Sequence, residues 1–219
     1  MYDAFGSQVV ETVEQDWTTN IPDILVIAGD YDEGDAFFLP RKHDFRESLL
    51  FAKEHKLDYF DDFLEYSGKR SQVLVIRGNH EIGETLYSPE KINSISGCHE
   101  ISDCGMVVIK GFSFLGIGYA EKLLPIVKRF AQTRIDVIIT HCQRTRLNVL
   151  TRLKPKLMIH GHAASGSSVY SVNHIPVVSS GVLRWAEISF DDEGVKSILR
   201  RRKQRTKFAM EGGFREFWF

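Results

Sequence analysis

The most constraining feature of this 219-residue sequence is a short apolar run that ends in a glycine and then in polar side chains. Residues 73–76 (Val-Leu-Val-Ile) predict a buried strand, because four apolar residues are too few for a core helix. Gly78 permits a sharp turn at the end of this strand, and Asn79, His80 and Glu81 follow directly. Loops beyond the carboxyl ends of strands bind ligands in open α/β sheets. The motif therefore favours a functional site over a packing role.

The same organisation recurs at three other apolar runs, each of which predicts a buried strand that ends in a polar side chain. These runs are residues 24–28, 135–140 and 157–160, followed by Gly29-Asp30, His141 and Gly161-His162. Strands joined by crossover helices can bring their carboxyl ends to one edge of a sheet. We therefore expect Asp30, Asn79, His141 and His162 to converge. This mixed oxygen and nitrogen donor set suits Mn²⁺, Fe²⁺ or Zn²⁺.

The composition is that of an ordinary soluble domain and excludes several classes of protein. Hydrophobic residues make up 43% and charged residues 26% of the chain, with a formal net charge of −1, so no global charge attracts nucleic acid or a membrane. The three cysteines form no CxxC pair, which argues against a disulfide framework and favours a reducing compartment. No apolar run approaches the roughly 18–20 residues of a membrane span. We expect a cytoplasmic α/β protein.

The remaining pattern predicts helices and strands in alternation. Helical spacing appears at about residues 7–17, from 44, from 58, and at 121–130 and 144–153, and further strands are predicted at 106–109, 114–117, 169–172, 175–178, 182–190 and 195–200. The strands at 106–109 and 114–117 should be antiparallel, since Lys110-Gly111 can form the turn between them. Pro176 cannot donate to a sheet ladder, so its strand should start at an edge or only after the proline.

Taken in order, Gly29-Asp30, Gly78-Asn79-His80-Glu81, His141 and Gly161-His162 resemble the motifs of the calcineurin-like metallophosphoesterases. The resemblance extends over about residues 3–190 and implies a two-sheet α/β sandwich flanked by helices, in a domain spanning residues 1–200. It implies that Asp30 is a bridging carboxylate with a catalytic part, and that Asn79, His141 and His162 complete one metal site. By the same resemblance, His80 stabilises the transition state or protonates the leaving oxygen.

The sequence departs from this family at its other metal site. Asp3 stands where the family has the aspartate of Asp-x-His, but Phe5 replaces the histidine, and Ala164 replaces the last histidine of Gly-His-x-His. The resemblance therefore implies a phosphoesterase with one intact metal site, in which a metal-bound hydroxide attacks a phosphomonoester or phosphodiester. The alternative is a catalytically reduced or inactive member that serves as a scaffold for protein or nucleic-acid partners.

Basic residues near the predicted site are candidates for binding a substrate phosphate. Arg41, Lys42 and Arg144 follow two of the site strands, and guanidinium groups bind phosphate bidentately; a solvated loop is the alternative for each. Residues 201–219 form a tail that is first basic and then aromatic. The basic run comprises Arg200, Arg201, Arg202, Lys203, Arg205 and Lys207, and such runs can bind nucleic acid. The aromatic residues that follow it, Phe208, Phe214, Phe217, Trp218 and Phe219, favour docking on the domain, oligomerisation or a protein partner.

Overall fold

In the computed structural model, the parallel strands of two sheets end at a common edge. The described residues are 21–29, 59–79, 81, 87–119, 122–142, 144–162, 168–179, 184–202, 207–210 and 213–216. The helices predicted at 7–17 and from 44 lie outside these ranges. Within them, no helix is long and apolar enough to cross a membrane.

Helices separate several of the described strands in the first part of the chain, and the last seven strands follow one another without a helix in the described residues. The strands are β1 (Ile24–Ala28), β2 (Gln72–Ile76), β3 (Cys98–Glu100), β4 (Asp103–Ile109), β5 (Phe112–Ile117), β6 (Val137–Thr140), β7 (Leu157–His160), β8 (Ser168–Val172), β9 (Ile175–Ser179), β10 (Arg184–Asp191), β11 (Gly194–Arg202), β12 (Lys207–Met210) and β13 (Gly213–Glu216). The helices are α1 (Tyr59–Gly68), α2 (Pro89–Ser94), α3 (Leu124–Phe130) and α4 (Leu147–Leu150), with 3-10 turns at Arg144–Arg146 and Thr151–Leu153 on either side of α4.

Two sheets contain the strands that position the site. The first has the order β1-β2-β3, and both of its pairings are parallel. The second has the order β4-β5-β6-β7-β9-β8, in which β5, β6, β7 and β9 are parallel and the outer β4 and β8 are antiparallel to their neighbours. The strands β10 and β11 form an antiparallel hairpin, as do β12 and β13. Because these strands run in the same direction, their carboxyl ends lie at the same edge, and crossover connections join them.

The alternation of side chains along β2 sends one set of residues to each face of the first sheet. Leu74 and Ile76 are fully buried in a core that also contains Val137 and Ile139 of the second sheet. Val73 and Val75 point the other way, into a core with residues of α1 and α2. The first sheet therefore lies between the second sheet and a helical layer.

The outer face of the second sheet is covered in the same way. Ile138 lies between Val137 and Ile139 on β6, and it packs in a third core with Val127 of α3 and Leu150 of α4. The layers thus run helix, sheet, sheet, helix. This arrangement confirms the predicted two-sheet α/β sandwich flanked by helices.

Most predicted strands are present with small shifts at their ends. The strand predicted at 182–190 runs from 184 to 191, and the one predicted at 195–200 runs from 194 to 202. The antiparallel pairing of β4 and β5 is confirmed. Pro176 pairs only with β8, and the ladder between β9 and β7 begins one residue later at Val177, because proline has no backbone donor to give.

The two edges of the second sheet carry different polar groups. Asp136 precedes β6 at the amino-terminal edge and is 1% exposed. Its Oδ2 accepts hydrogen bonds from the backbone N of Ser113 at 3.0 Å and from its Oγ at 2.9 Å, while Lys156 lies 3.1 Å from Oδ1. Burial alone would raise the pKa of Asp136, but the hydrogen bonds from Ser113, Lys156 and Arg134 lower it to about 2. This edge is a structural one, and the carboxyl edge holds the candidate site.

Candidate metal centre

Three of the predicted ligands meet at the carboxyl edge, between the two sheets. Asn79 follows β2, His141 follows β6 and His162 follows β7. The Oδ1 of Asn79 lies 3.1 Å from Nε2 of His141 and 2.7 Å from Nδ1 of His162. The two ring nitrogens are 3.2 Å apart. The convergence expected from the sequence is therefore present for these three side chains.

The tautomer of His141 is fixed by its other ring nitrogen. Nδ1 lies 2.6 Å from the carbonyl oxygen of Ala28, and a carbonyl can only accept, so Nδ1 carries the proton. In the neutral ring the Nε2 atom then carries a lone pair, and it lies 3.1 Å from the amide oxygen of Asn79 and 3.2 Å from Nδ1 of His162. A lone pair in this position is the form in which histidine binds a metal.

Two glycines make room for the His141 ring. A Cβ at Gly161 would lie 2.6 Å from Nδ1 of His141 and would collide with the carbonyl oxygen of Ala28. A Cβ at Gly29 would overlap the same Nδ1 and would lie 2.8 Å from the Cα of Gly78. Gly29 also has a φ of +92°, which a side chain would strain. The glycines of the Gly29-Asp30 and Gly161-His162 motifs are thus required by the packing of a third motif residue.

The loop that carries Asn79 is held by a buried carboxylate. Glu81 is 1% exposed, and its Oε2 accepts a hydrogen bond from the backbone N of Gly78 at 2.5 Å. On the other side, the backbone N of Arg77 donates to Oγ of Ser102 at 2.6 Å. These bonds fix the backbone on both sides of the turn, so Asn79 is presented by a rigid segment rather than by a free loop.

His162 is presented by an unusual backbone conformation. Its φ is +57°, in the left-handed region that residues other than glycine rarely adopt. Such strain concentrates at functional sites, where the surroundings hold the residue in place. The ring of Tyr119 lies 5.9 Å from the His162 ring, and that of His141 lies 5.0 Å from it. His162 is thus an exposed donor with an aromatic neighbour.

The spacing of the three donor atoms fits a shared divalent cation. Ligand atoms that each lie about 2.1 Å from one ion are about 3.0 to 3.4 Å apart. Two of the observed separations, 3.1 and 3.2 Å, fall in this range, and the third, 2.7 Å between Asn79 and His162, is shorter. Histidine ligands also commonly donate their second ring N–H to a carbonyl, as His141 does here. Among the described residues no group of three or more His, Cys, Asp and Glu side chains could hold a metal. The set found here consists of two imidazoles and an amide.

A second polar group lies next to the donors on the outer face of the second sheet. His160 is 2% exposed, its Nδ1 donates to the carbonyl oxygen of Gly161 at 2.6 Å, and its Nε2 lies 2.7 Å from the hydroxyl of Tyr170. Burial lowers the pKa of His160 to about 4, so the ring is neutral and accepts from the hydroxyl. The guanidinium of Arg144 lies 3.9 Å from the centre of the Tyr170 ring.

The other predicted site residues lie outside the described ranges. They are Asp3, Asp30, Arg41, Lys42 and His80, together with Phe5 and Ala164, which mark the departures from the family motifs. Asp30 directly follows Gly29, which packs against His141. Their predicted roles stay predictions.

Two residues near the donors were missed by sequence reasoning. Tyr119 follows β5, whose carboxyl end lies at the same edge, so the rule that singled out His141 could also have found it. Tyr170 lies in the middle of β8 and had no such signal, because its contact with His160 depends on the order of β7, β9 and β8 in the sheet.

The fold and the donors define a two-sheet α/β protein with a candidate metal centre at the carboxyl edge of its strands. The family model for calcineurin-like phosphoesterases matches residues 7–203, and the chain belongs to that family, as its motifs predicted. Membership implies metal-dependent hydrolysis of phosphoesters in general. No curated protein matches the chain.

Proposed function

We propose that this protein is a phosphoesterase that depends on one intact metal site and hydrolyses a phosphomonoester or phosphodiester. The observation that supports it best is the convergence of three donor atoms, from Asn79, His141 and His162, within 2.7 to 3.2 Å of one another. Each donor follows a different strand of the sandwich.

The donor set indicates the kind of metal. Asn79, His141 and His162 would hold it together with Asp30, and nitrogen and oxygen donors of this type suit Mn²⁺, with Fe²⁺ or Zn²⁺ as alternatives. When bound, such a cation supplies Lewis acidity toward a phosphoryl oxygen. Asp3 is the remaining carboxylate for a second site, which lacks both of its histidines.

The protein's own residues would orient the reaction. The bond from His141 to Ala28 fixes the imidazole and raises its basicity as a ligand. His80, next to Asn79 in the chain, would protonate the leaving oxygen or stabilise the transition state. Arg144 is the described member of the three predicted phosphate-binding cations, and Arg41 and Lys42 are the others. A cytoplasmic location remains part of this proposal.

Metal binding and turnover test the proposal together. The full-length protein is titrated with Mn²⁺ by isothermal calorimetry, and turnover is measured with 4-nitrophenyl phosphate and its bis-ester. One equivalent of Mn²⁺ is expected, and it should be lost in His141→Ala. His80→Ala should retain the metal and lose turnover. His99→Ala is the matched control, since His99 bonds to Gln72 at the start of β2.

The outcomes separate the alternatives. Two equivalents of Mn²⁺ would mean that other residues rebuild the second site. If no metal binds and no substrate is turned over, the proposal of a phosphoesterase is contradicted, and the alternative of an inactive scaffold for partners is supported. In that case deletion of residues 208–219, which carry the aromatic residues of the tail, tests whether the tail holds a protein partner or a second copy.

A second candidate, a nucleic-acid phosphodiesterase, is favoured by the register of the β10–β11 hairpin. Arg184 pairs with Arg202 and Ala186 with Arg200. Because alternate residues share a face, these three positions belong to the same hairpin face as Ile188. Arg184 and Arg202 occupy directly opposite positions, where like charges destabilise a pair of strands, so a bound anion would favour the pairing.

The contacts of the hairpin indicate where its arginine end lies. Near the turn, Nζ of Lys156 donates to the carbonyl oxygen of Asp192 at 2.6 Å, and the ring of Phe190 lies 4.9 Å from that of Phe112. Lys156 and Phe112 are at the amino ends of β7 and β5. The turn of the hairpin therefore lies at the amino edge of the second sheet, and we infer that the opposite end extends toward the carboxyl edge.

Salt dependence tests this candidate. A fluorescent single-stranded dT12 oligonucleotide is titrated with the protein at several salt concentrations in the presence of EDTA. Replacing Arg200 and Arg202 by glutamine should weaken binding and reduce the salt slope by about 0.7 per lost phosphate contact. Replacing Lys69 and Arg70, beyond α1, is the control. Equal slopes in both double variants would reject the nucleic-acid role.

A further inference from the structure

Arg144 is a cation that an aromatic ring, rather than a carboxylate, holds in place. It is exposed, begins the 3-10 turn three residues after His141, and stacks on Tyr170 at 3.9 Å. Arg77 and Arg134, by contrast, pair with carboxylates. Among the described residues no carboxylate pairs with Arg144. A stacked guanidinium keeps the N–H groups at its edge available to an oxyanion.

Tyr170 is itself held in place by a hydrogen bond to His160. Its hydroxyl donates to Nε2 of His160 at 2.7 Å, and the Nδ1 of His160 donates to the carbonyl oxygen of Gly161 at 2.6 Å. Gly161 immediately precedes His162, a donor of the candidate metal centre. A continuous chain of contacts therefore links the donor loop to the guanidinium.

The location of the stack distinguishes it from similar contacts elsewhere. Arg70 stacks on Tyr66 at 3.6 Å and Arg129 on Phe130 at 5.1 Å, so stacking by itself does not indicate a ligand. Arg70 precedes β2 and lies at its amino end, away from the donors. Of these three stacked arginines, only Arg144 lies within three residues of a donor, His141.

We propose that Arg144 is an anion-binding residue at the rim of the candidate metal centre and that Tyr170 is a positioning residue that holds it there. The ligand is a tetrahedral oxyanion, such as the phosphoryl group of the substrate. This inference rests on the proposed function, because the site that it borders is the proposed metal centre. His160 anchors Tyr170 by its hydrogen bond and does not touch the ligand.

Binding of inorganic phosphate tests the inference without a known substrate. The full-length protein is titrated with phosphate by calorimetry, with and without Mn²⁺, and Mn²⁺ affinity is measured separately. Arg144→Ala should weaken phosphate binding at least about tenfold, the size expected for one lost charge-assisted hydrogen bond, and leave Mn²⁺ affinity unchanged. Arg144→Lys should restore part of the loss, since it keeps the charge but not the planar fork.

The role of Tyr170 is tested by a pair of variants and a double-mutant cycle. Tyr170→Leu removes the stack and should weaken phosphate binding as much as Arg144→Ala does. Tyr170→Phe keeps the ring and should have a smaller effect. The double variant Arg144→Ala, Tyr170→Leu should be no worse than either single variant, because both act through one contact. Arg70→Ala, another stacked arginine, is the control and should bind phosphate as the wild type does.

The outcomes distinguish this inference from the proposed function. Phosphate affinity in Arg144→Ala equal to that of the wild type, or additive effects in the cycle, would overturn the inference while Mn²⁺ binding stands. If the wild type binds no Mn²⁺, the proposed function is overturned. The phosphate titrations without metal would still test this inference by comparing Arg144→Ala with the wild type. If Tyr170→Leu does not fold, Tyr170→Phe and Arg144→Lys decide the matter.

Discussion

Replacing Gly29 by alanine should damage the candidate metal centre through the ring of His141. The added Cβ would overlap Nδ1 of His141 and would lie 2.8 Å from the Cα and N of Gly78, inside the 3.0 Å that real Cβ atoms essentially never cross. Ordinary contacts require about 3.5 Å, so the imidazole must move by about 1 Å. That movement breaks the 2.6 Å bond to the carbonyl oxygen of Ala28.

The size of the effect depends on the role of this bond. Loss of the partner that orients a histidine ligand typically costs 10- to 100-fold in metal affinity, or about 1.4 to 2.7 kcal/mol. The variant also pays a backbone cost, because Gly29 has a φ of +92° and a side chain there costs about 1 kcal/mol. The two effects must be separated by a control.

Gly111 provides the matched control. Its φ is +83°, and a Cβ there would meet nothing within 4 Å. Both variants should lose stability from backbone strain in urea unfolding, Gly29→Ala more than Gly111→Ala because of its contact with Gly78, while only Gly29→Ala loses Mn²⁺ affinity in calorimetric titration. In the metal-free protein, a long-range nitrogen NMR spectrum should show the Nδ1–H tautomer of His141 in the control and its loss in Gly29→Ala. Equal Mn²⁺ affinities in the two variants would refute the reasoning.

Further predictions concern groups away from the centre. Asp136→Asn should lower the free energy of unfolding, measured in urea at neutral pH, by about 2 kcal/mol. The control Asp192→Asn, at an exposed position, should leave it unchanged, and equal values for the two variants would contradict the hydrogen bonds assigned to Asp136. The pKa of Asp136 falls from its ordinary 3.8 to about 2 on folding, so its contribution of about 2 kcal/mol is complete above pH 4. It should disappear as the pH falls from 4 to 2, and Asp136→Asn should flatten that stretch of the stability profile. Ser67→Ala should leave the stability in thermal unfolding unchanged or raise it. The buried Oγ of Ser67 has no hydrogen-bond partner among the described residues, and removing an unsatisfied hydroxyl costs little. A loss of stability above about 1 kcal/mol would show that the hydroxyl is satisfied.

The sequence alone could predict the edge at which the donors meet, because a run such as residues 73–76 indicates both a buried strand and the place where its polar neighbours emerge. The rule failed for β3, where Cys98, His99 and Glu100 form a strand without an apolar pattern. Its three residues are placed by parallel pairing with β2, a tertiary contact that leaves no local periodicity. Helix α2 was missed for a related reason, since it buries only Ile92.

Contacts across the sheet were the other part that could not be predicted. The stack of Arg144 on Tyr170 joins the 3-10 turn after β6 to strand β8, and the position of β8 in the sheet depends on β9 lying between it and β7. Nothing in the sequence near Tyr170 gives that order. Arg144 was a candidate because it follows His141, but what holds it in place depends on the topology of the sheet.

The two ends of β6 show how the same strand can serve stability at one edge and a ligand at the other. At its start, the carboxylate of Asp136 accepts from Ser113 and pairs with Lys156 and Arg134, so its charge is satisfied within the protein. At its end, Nδ1 of His141 donates to the carbonyl oxygen of Ala28, and Nε2 lies 3.1 Å from the amide oxygen of Asn79. Both groups are 1% exposed, so burial does not distinguish them. The difference is that the Asp136 carboxylate is paired with donors of the protein, whereas the Nε2 atom of His141 lies next to an amide oxygen and a second imidazole, which are donor groups that a divalent cation binds.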